Sequence, residues 1–256
     1  MRIVILGQNR SGTTAIYSLL RDSWQAAGGD PVLQFEPPHG SAPVPPPDTD
    51  ALVKVLFVPG RFAPIAYAGF ERCLLVLRDP RDVLVSQLLY SLHNSVLARD
   101  AAKANAFLAA LAGKEADPTG VPLVSLFRTL FALDPNIDWD RYLERVRYAA
   151  EWNDDGWFHV RYEEFVDGER EDLERQVGFR LLPEAVVDAG HQRVVRTKTH
   201  GLWRQWFTPE DVEFFDSTVR PYCERFGYDA DAEPDEDPVI EASHATEYVR
   251  RLLTSR

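Results

Sequence analysis

Arg10, Ser11, Gly12, Thr13 and Thr14 put one guanidinium and three hydroxyls into five consecutive residues. Donors of that kind suit an anion that carries several oxygens. Two later segments repeat the theme: Arg78 with Arg81 and Ser86, and Arg196 with Thr197 and Lys198. Glu36, followed at once by Pro37 and Pro38, is a carboxylate that could take a proton from a hydroxyl, and His39 is the runner-up base. The other histidines have no nucleophile spaced to pair with them. The implied chemistry is the binding of phosphate or sulfate groups, with a base nearby.

The elements that must position these groups are legible around the first cluster. Arg2 to Leu6 are mostly aliphatic and β-branched with no polar alternation, the pattern of a parallel strand covered on both faces. Gly7 releases the chain into a polar loop. Gly12, Thr13 and Thr14 then start a helix whose apolar stripe is Ile16, Leu19, Leu20 and Ala27, with Gly28 and Gly29 ending it. A helix start turns unpaired N–H groups and the positive end of its dipole toward the loop, which makes it an anion site. Gly7 and Gly12 have the separation of the phosphate loop G-x-x-x-x-G-K-[ST], but Thr13 stands where that loop has its lysine. The loop by itself also fits an ordinary strand-helix turn in which Ser11 and Thr13 serve only as caps.

Further along, Val32 to Glu36 reads as a short strand that opens into the proline-rich stretch from Pro37 to Pro47, a natural wall for an acceptor site or a plain surface connection. Ala51 to Val58 is strand-like and carries Lys54. Cys73 to Leu77 reads as an inner strand. Asp79 can cap the helix after it and Pro80 can occupy its first position. The stripe Val85, Leu88, Leu89, Leu92 and Val96 leaves Ser86 on the flank, where it and Arg78 could meet one anion. Ala101 to Trp152 reads as helical pieces broken at Gly113, Pro118, Pro122 and Pro135, and Trp157 to Tyr162 as a further strand. Thr208-Pro209-Glu210-Asp211 opens a capped helix reaching Phe226. The expected layout is one α/β domain over residues 1–228, an acidic linker over 229–238 and an amphipathic helix over 239–256.

At 256 residues and 45% hydrophobic composition the chain can bury a substantial core. A formal charge of −12 argues against nucleic acid as its main partner. Against that acidic background Arg10, Arg78, Arg81, Arg196, Lys198 and Arg204 gather in the motif segments, which fits a focused pocket for a small anion and equally arginines scattered over the surface. No apolar run is long enough to span a bilayer, and the N-terminus enters the first strand without a leader pattern, so a cytoplasmic protein is expected. Cys73 and Cys223 are too few for a disulfide framework, and no Cys/His spacing suggests a metal site.

Taken together, these segments resemble the sulfotransferases that use 3′-phosphoadenosine 5′-phosphosulfate (PAPS), over most of the chain. Arg10-Ser11-Gly12-Thr13-Thr14 resembles that family's 5′-phosphosulfate loop. RDPRDVLVS, from Arg78 to Ser86, resembles its 3′-phosphate motif, in which the first arginine and the last serine hold the 3′-phosphate. RYEEF at Arg161 to Phe165 is similar to the strand and tyrosine near the nucleotide, here Tyr162. RTKTHGLW at Arg196 to Trp203 is similar to the late nucleotide-closing loop, with Thr197 and Lys198 inside it. The resemblance implies a P-loop-like parallel sheet flanked by helices, with PAPS as sulfuryl donor and no metal. The implied acceptor is a hydroxyl of a carbohydrate or other small molecule, because Phe35-Glu36-Pro37 is similar to the Glu-Pro segment of carbohydrate sulfotransferases. Ala15 stands where many cytosolic members carry a tryptophan, Lys198 replaces a glycine, and the lysine-threonine-histidine segment of the phenol and steroid enzymes has no counterpart near Lys54. A nucleotide kinase-like phosphoryl transferase and a catalytically silent nucleotide-binding module are the alternatives.

Overall fold

The computed structural model describes residues 1–37, 44–59, 63–138, 140–184, 186–188 and 196–254. In chain order the elements are β1 (Arg2–Gly7), α1 (Thr13–Ala26), β2 (Val32–Phe35), β3 (Ala51–Leu56), β4 (Arg72–Leu77), α2 (Pro80–Ser91), α3 (Ala101–Ala116), α4 (Leu123–Leu133), α5 (Asp140–Glu151), β5 (Phe158–Arg161), α6 (Tyr162–Asp167), α7 (Glu171–Val177), α8 (Trp203–Trp206), α9 (Pro209–Phe226) and α10 (Thr246–Thr254), with short 3₁₀ turns between some of them. Contacts sort the chain into two compact units, Met1–Arg78 with Glu151–Gln192, and Asp79–Ala150 with Arg193–Arg256.

The first unit holds one five-stranded sheet of order β2-β3-β1-β4-β5, parallel at every pairing. This is the α/β architecture expected from the unalternated strands. β1 lies in the middle and all six of its residues are buried. Side chains of a strand alternate between faces, so Ile3 and Ile5 share one face, and they pack there with Leu52, Leu74 and Val76. Ile16, Leu19 and Leu20 of α1 close that layer, together with Val160 and, from α6 and α7, Phe165, Leu173 and Val177. Burying one leucine or isoleucine side chain in such a layer stabilises the fold by about 1.5–3 kcal/mol before entropy is subtracted. The strands end at nearly one level, since Gly7 pairs with Val76 and Leu77 with Arg161. The loops that follow them therefore share one edge of the sheet.

The second unit is helical. Leu88, Leu92, Phe107, Leu111, Leu126, Phe127, Trp203, Trp206, Phe215 and Tyr248 belong to one buried cluster. Asp79 caps α2 by accepting from the Arg81 N–H at 2.9 Å, with Pro80 at the first helical position as its fixed φ favours. Thr208 and Asp211 form the reciprocal capping box of α9. Asp211 also accepts from the N–H groups of Leu123 and Val124, both at 2.8 Å, and so caps α4, whose own N-cap, Pro122, makes no side-chain cap. Cys223 is buried and Cys73 half-buried. Among the described residues no helix is long and apolar enough to cross a membrane.

Candidate functional site

The site is built around the turn from β1 to α1. The Ser11 N–H donates to the Gln8 carbonyl at 3.2 Å and its hydroxyl donates to the same oxygen at 2.8 Å. That hydroxyl therefore closes the loop on itself. The N-cap of α1 is Gly12, a residue with no side chain to cap the helix, and with its hydroxyl turned back on Gln8, Ser11 does not act as an ordinary cap. Arg10 (φ 72°) and Gly12 (φ 94°) both have left-handed φ values, on either side of Ser11. Turns containing left-handed residues ahead of a helix form backbone concavities that accept anions.

Two side chains brace the loop from the next strands. Leu77 and Arg161 are register partners, so Arg78 and Tyr162, one residue further on each strand, leave the sheet side by side. The Arg78 guanidinium lies over the Tyr162 ring at 4.3 Å and donates to the Arg10 carbonyl at 3.1 Å. Tyr162 in turn fills the space beside Gly12, where a Cβ atom would stand 2.2 Å from its Cδ2. Arg78, assigned from sequence to a phosphate alone, thus also holds the strained residue of the loop.

Lys54 is the residue that sequence reasoning missed. It pairs in register with Ile5 on one side and Phe35 on the other, which sends its side chain to the face occupied by α1. The chain is 1% exposed. Its Nζ donates to Thr14 Oγ1 at 3.0 Å, forms an ion pair with Glu36, and sits 4.1 Å from the centre of the Phe35 ring. Burial pushes this ammonium below the usual lysine range, Glu36 pulls it back up, and Arg10 pushes it down again. The ammonium that the loop lacks after Gly12 is therefore delivered from the neighbouring strand to the first turn of the same helix. A faint signal was present: Lys54 is the one charged residue in the apolar run Ala51 to Phe57.

Glu36 follows β2, is exposed, and is held by its own N–H donating to the Lys54 carbonyl at 2.9 Å. Its φ of 48° is again left-handed. His39 lies outside the described residues. The first unit thus brings together Arg10, Ser11, Gly12, Thr13, Thr14, Glu36, Arg78 and Tyr162, to which Lys54 is added.

Ser86, Arg196, Thr197 and Lys198 belong to the second unit. Ser86 is 2% exposed on α2, and Arg196 is buried, donating to the His244 carbonyl at 3.3 Å. Lys198 is exposed. The middle of the RDPRDVLVS segment has work of its own in this unit. Arg81 makes two bonds to the Asp79 carboxylate, at 2.9 and 2.7 Å, donates to the Asp229 carbonyl, and stacks 3.7 Å from the centre of the Trp203 ring. Asp82, fully buried, accepts from the Gly201 and Trp203 N–H groups at 2.7 and 2.8 Å. The first turn of α2 therefore anchors the end of the late loop.

A scan against protein-family models finds no match to this chain, and searches of the curated proteins and of the solved structures return none.

Proposed function

We propose that the protein is a PAPS-dependent sulfotransferase that moves a sulfuryl group to a hydroxyl of a carbohydrate or other small-molecule acceptor and releases 3′,5′-bisphosphoadenosine (PAP). The observation that carries the reading is the loop after β1, which joins a helix start with glycine at its N-cap to the cations Arg10 and Lys54 at the edge of a parallel sheet. Its segments are those that carry the sulfotransferase resemblance, and the sheet they leave is five-stranded and parallel, an α/β arrangement.

In this reading the donor's phosphosulfate end occupies the loop. The acceptor oxygen attacks sulfur as the bond from sulfur to the bridging 5′-phosphate oxygen breaks. The bonding pair leaves with PAP, and the acceptor proton passes to Glu36. Charge grows on the leaving phosphate, so Arg10, Lys54 and the helix start stabilise the transition state more than the ground state. The resemblance assigns the 3′-phosphate to Arg78, Ser86 and Arg196, and the nucleotide's surroundings to Tyr162, Thr197 and Lys198.

Lys54 is also what favours the second reading, a phosphoryl transferase, because it restores an ammonium to a loop that lacked one. Thermal shift separates the two. A ligand at a hundredfold its dissociation constant adds about 2.7 kcal/mol of stability. PAP should raise the melting temperature in this way and ATP with magnesium should do so much less. A shift with ATP equal to or larger than that with PAP would overturn the sulfotransferase reading. An acceptor screen followed by PAP release then identifies the substrate.

A further inference from the structure

The pairing of Lys54 with Glu36 has a consequence for the order of events. An ammonium has three N–H donors. Those of Lys54 are taken up by the Thr14 hydroxyl at 3.0 Å, the Glu36 carboxylate and the face of Phe35. An anion in the loop can reach this ammonium only by displacing one of the three. Phe35 belongs to β2 and Thr14 to the first turn of α1, so both are anchored in regular structure. Glu36 is the partner that can leave: it is exposed, it follows the last residue of its strand, and it sits in a left-handed conformation that costs energy for any residue other than glycine.

We propose that Glu36 is a competing internal anion, which neutralises buried Lys54 while the loop is empty and is released when a phosphate or sulfate group takes its place. This rests on the loop being the anion site of the proposed function. Two results follow from one exchange of partners. The buried cation never stands without a counter-charge, which would be costly. The carboxylate becomes free to accept a proton only after the donor has bound, so the donor binds before the acceptor reacts and Glu36 is not available as a base in its absence.

The test is the effect of E36Q on anion affinity. If Glu36 were only a base, the substitution would leave binding unchanged. If it competes for Lys54, removing its charge tightens binding. Isothermal titration of the full chain with PAP, and separately with inorganic pyrophosphate, should give dissociation constants lower in E36Q by about 5- to 150-fold, the ordinary range of coupling between linked binding events. The side chain is exposed and the change nearly isosteric, so E36Q should fold. In a K54M background E36Q should no longer tighten binding, because the object of competition is gone. Unchanged or weaker anion binding in E36Q overturns the proposal, as does an equal gain in both backgrounds. The nucleotide reading fails separately: pyrophosphate binding that tightens in E36Q, with no binding of PAP to either protein, would keep the exchange and discard PAPS.

Discussion

Replacing Gly12 with alanine tests the architecture of the loop most directly. Its cost has two separable parts. The first is conformational: at φ 94° a residue with a Cβ atom is strained whatever space surrounds it, and a left-handed backbone costs about 1–2 kcal/mol for an L-residue. The second is steric. The new methyl would stand 2.2 Å from Cδ2 and 2.6 Å from Cε2 of Tyr162, well inside contact distance. The ring is 7% exposed and stacked under Arg78, so it cannot swing aside freely. Overpacking of this kind costs about 1–3 kcal/mol. Gly12→Ala should therefore lose about 2–5 kcal/mol, a large part of the 5–15 kcal/mol that holds a typical domain. Urea denaturation followed by circular dichroism would measure it. In a Tyr162→Ala background the steric part vanishes and the strain remains, so the same substitution should then cost only about 1–2 kcal/mol. An equal cost in both backgrounds, or one below about 0.5 kcal/mol in the native background, within the usual effect of a surface substitution, would refute the packing described for Gly12 and Tyr162.

Arg10→Ala should lower kcat by about 100- to 1,000-fold with a smaller change in the KM for PAPS, since its partner charge develops in the transition state; a change confined to KM would reassign it to binding. Arg78→Lys keeps the charge but loses the stack on Tyr162 and the planar donor on the Arg10 carbonyl, so kcat should fall along with PAP affinity, where a pure phosphate contact would move affinity alone. Asp82→Asn turns one of two buried acceptors into a donor that faces an N–H group. It should cost about 1–3 kcal/mol in denaturation and speed tryptic cleavage after the exposed Lys198, whereas unchanged cleavage would mean the late loop is held elsewhere. Lys114 is fully buried, donates to the Pro118 and Val121 carbonyls at 2.6 Å each, and is pushed down by burial to about 8. Between about pH 8 and the ordinary lysine value near 10.4 the unfolded chain binds more protons than the folded one. Relative to Lys114→Met, the native protein should therefore gain stability as pH rises through that window, by at most about 3 kcal/mol. Denaturation at pH 7.5 and 9.5 checks the sign, and a loss with rising pH would refute it.

Sequence by itself determined what lies within one turn of a chain segment. The buried runs of β1 and β4, the Asp79-Pro80 start of α2 and the capping box of Thr208 and Asp211 all depend on neighbours a few positions away, and hydrophobic period and capping chemistry record such neighbours directly. The loop was legible for the same reason: Gly7, Arg10, Gly12 and Thr14 are consecutive parts of one turn. Tertiary structure decided what comes together from a distance. The order β2-β3-β1-β4-β5 sets β3 between β2 and β1, and that placement brings Lys54 to Thr14 and Glu36. A lysine inside an apolar run has no local sign of its partner, because strand parity sets its face but strand order sets what it meets. Asp211 shows the same division: its bond to Thr208 can be read three residues away, while its capping of α4 spans 88 positions. The motif RDPRDVLVS was legible as a strand end and a helix start. That its Asp82 closes on Gly201 and Trp203, and that Arg78 serves Arg10 through a carbonyl, are matters of packing, which no spacing along the chain encodes.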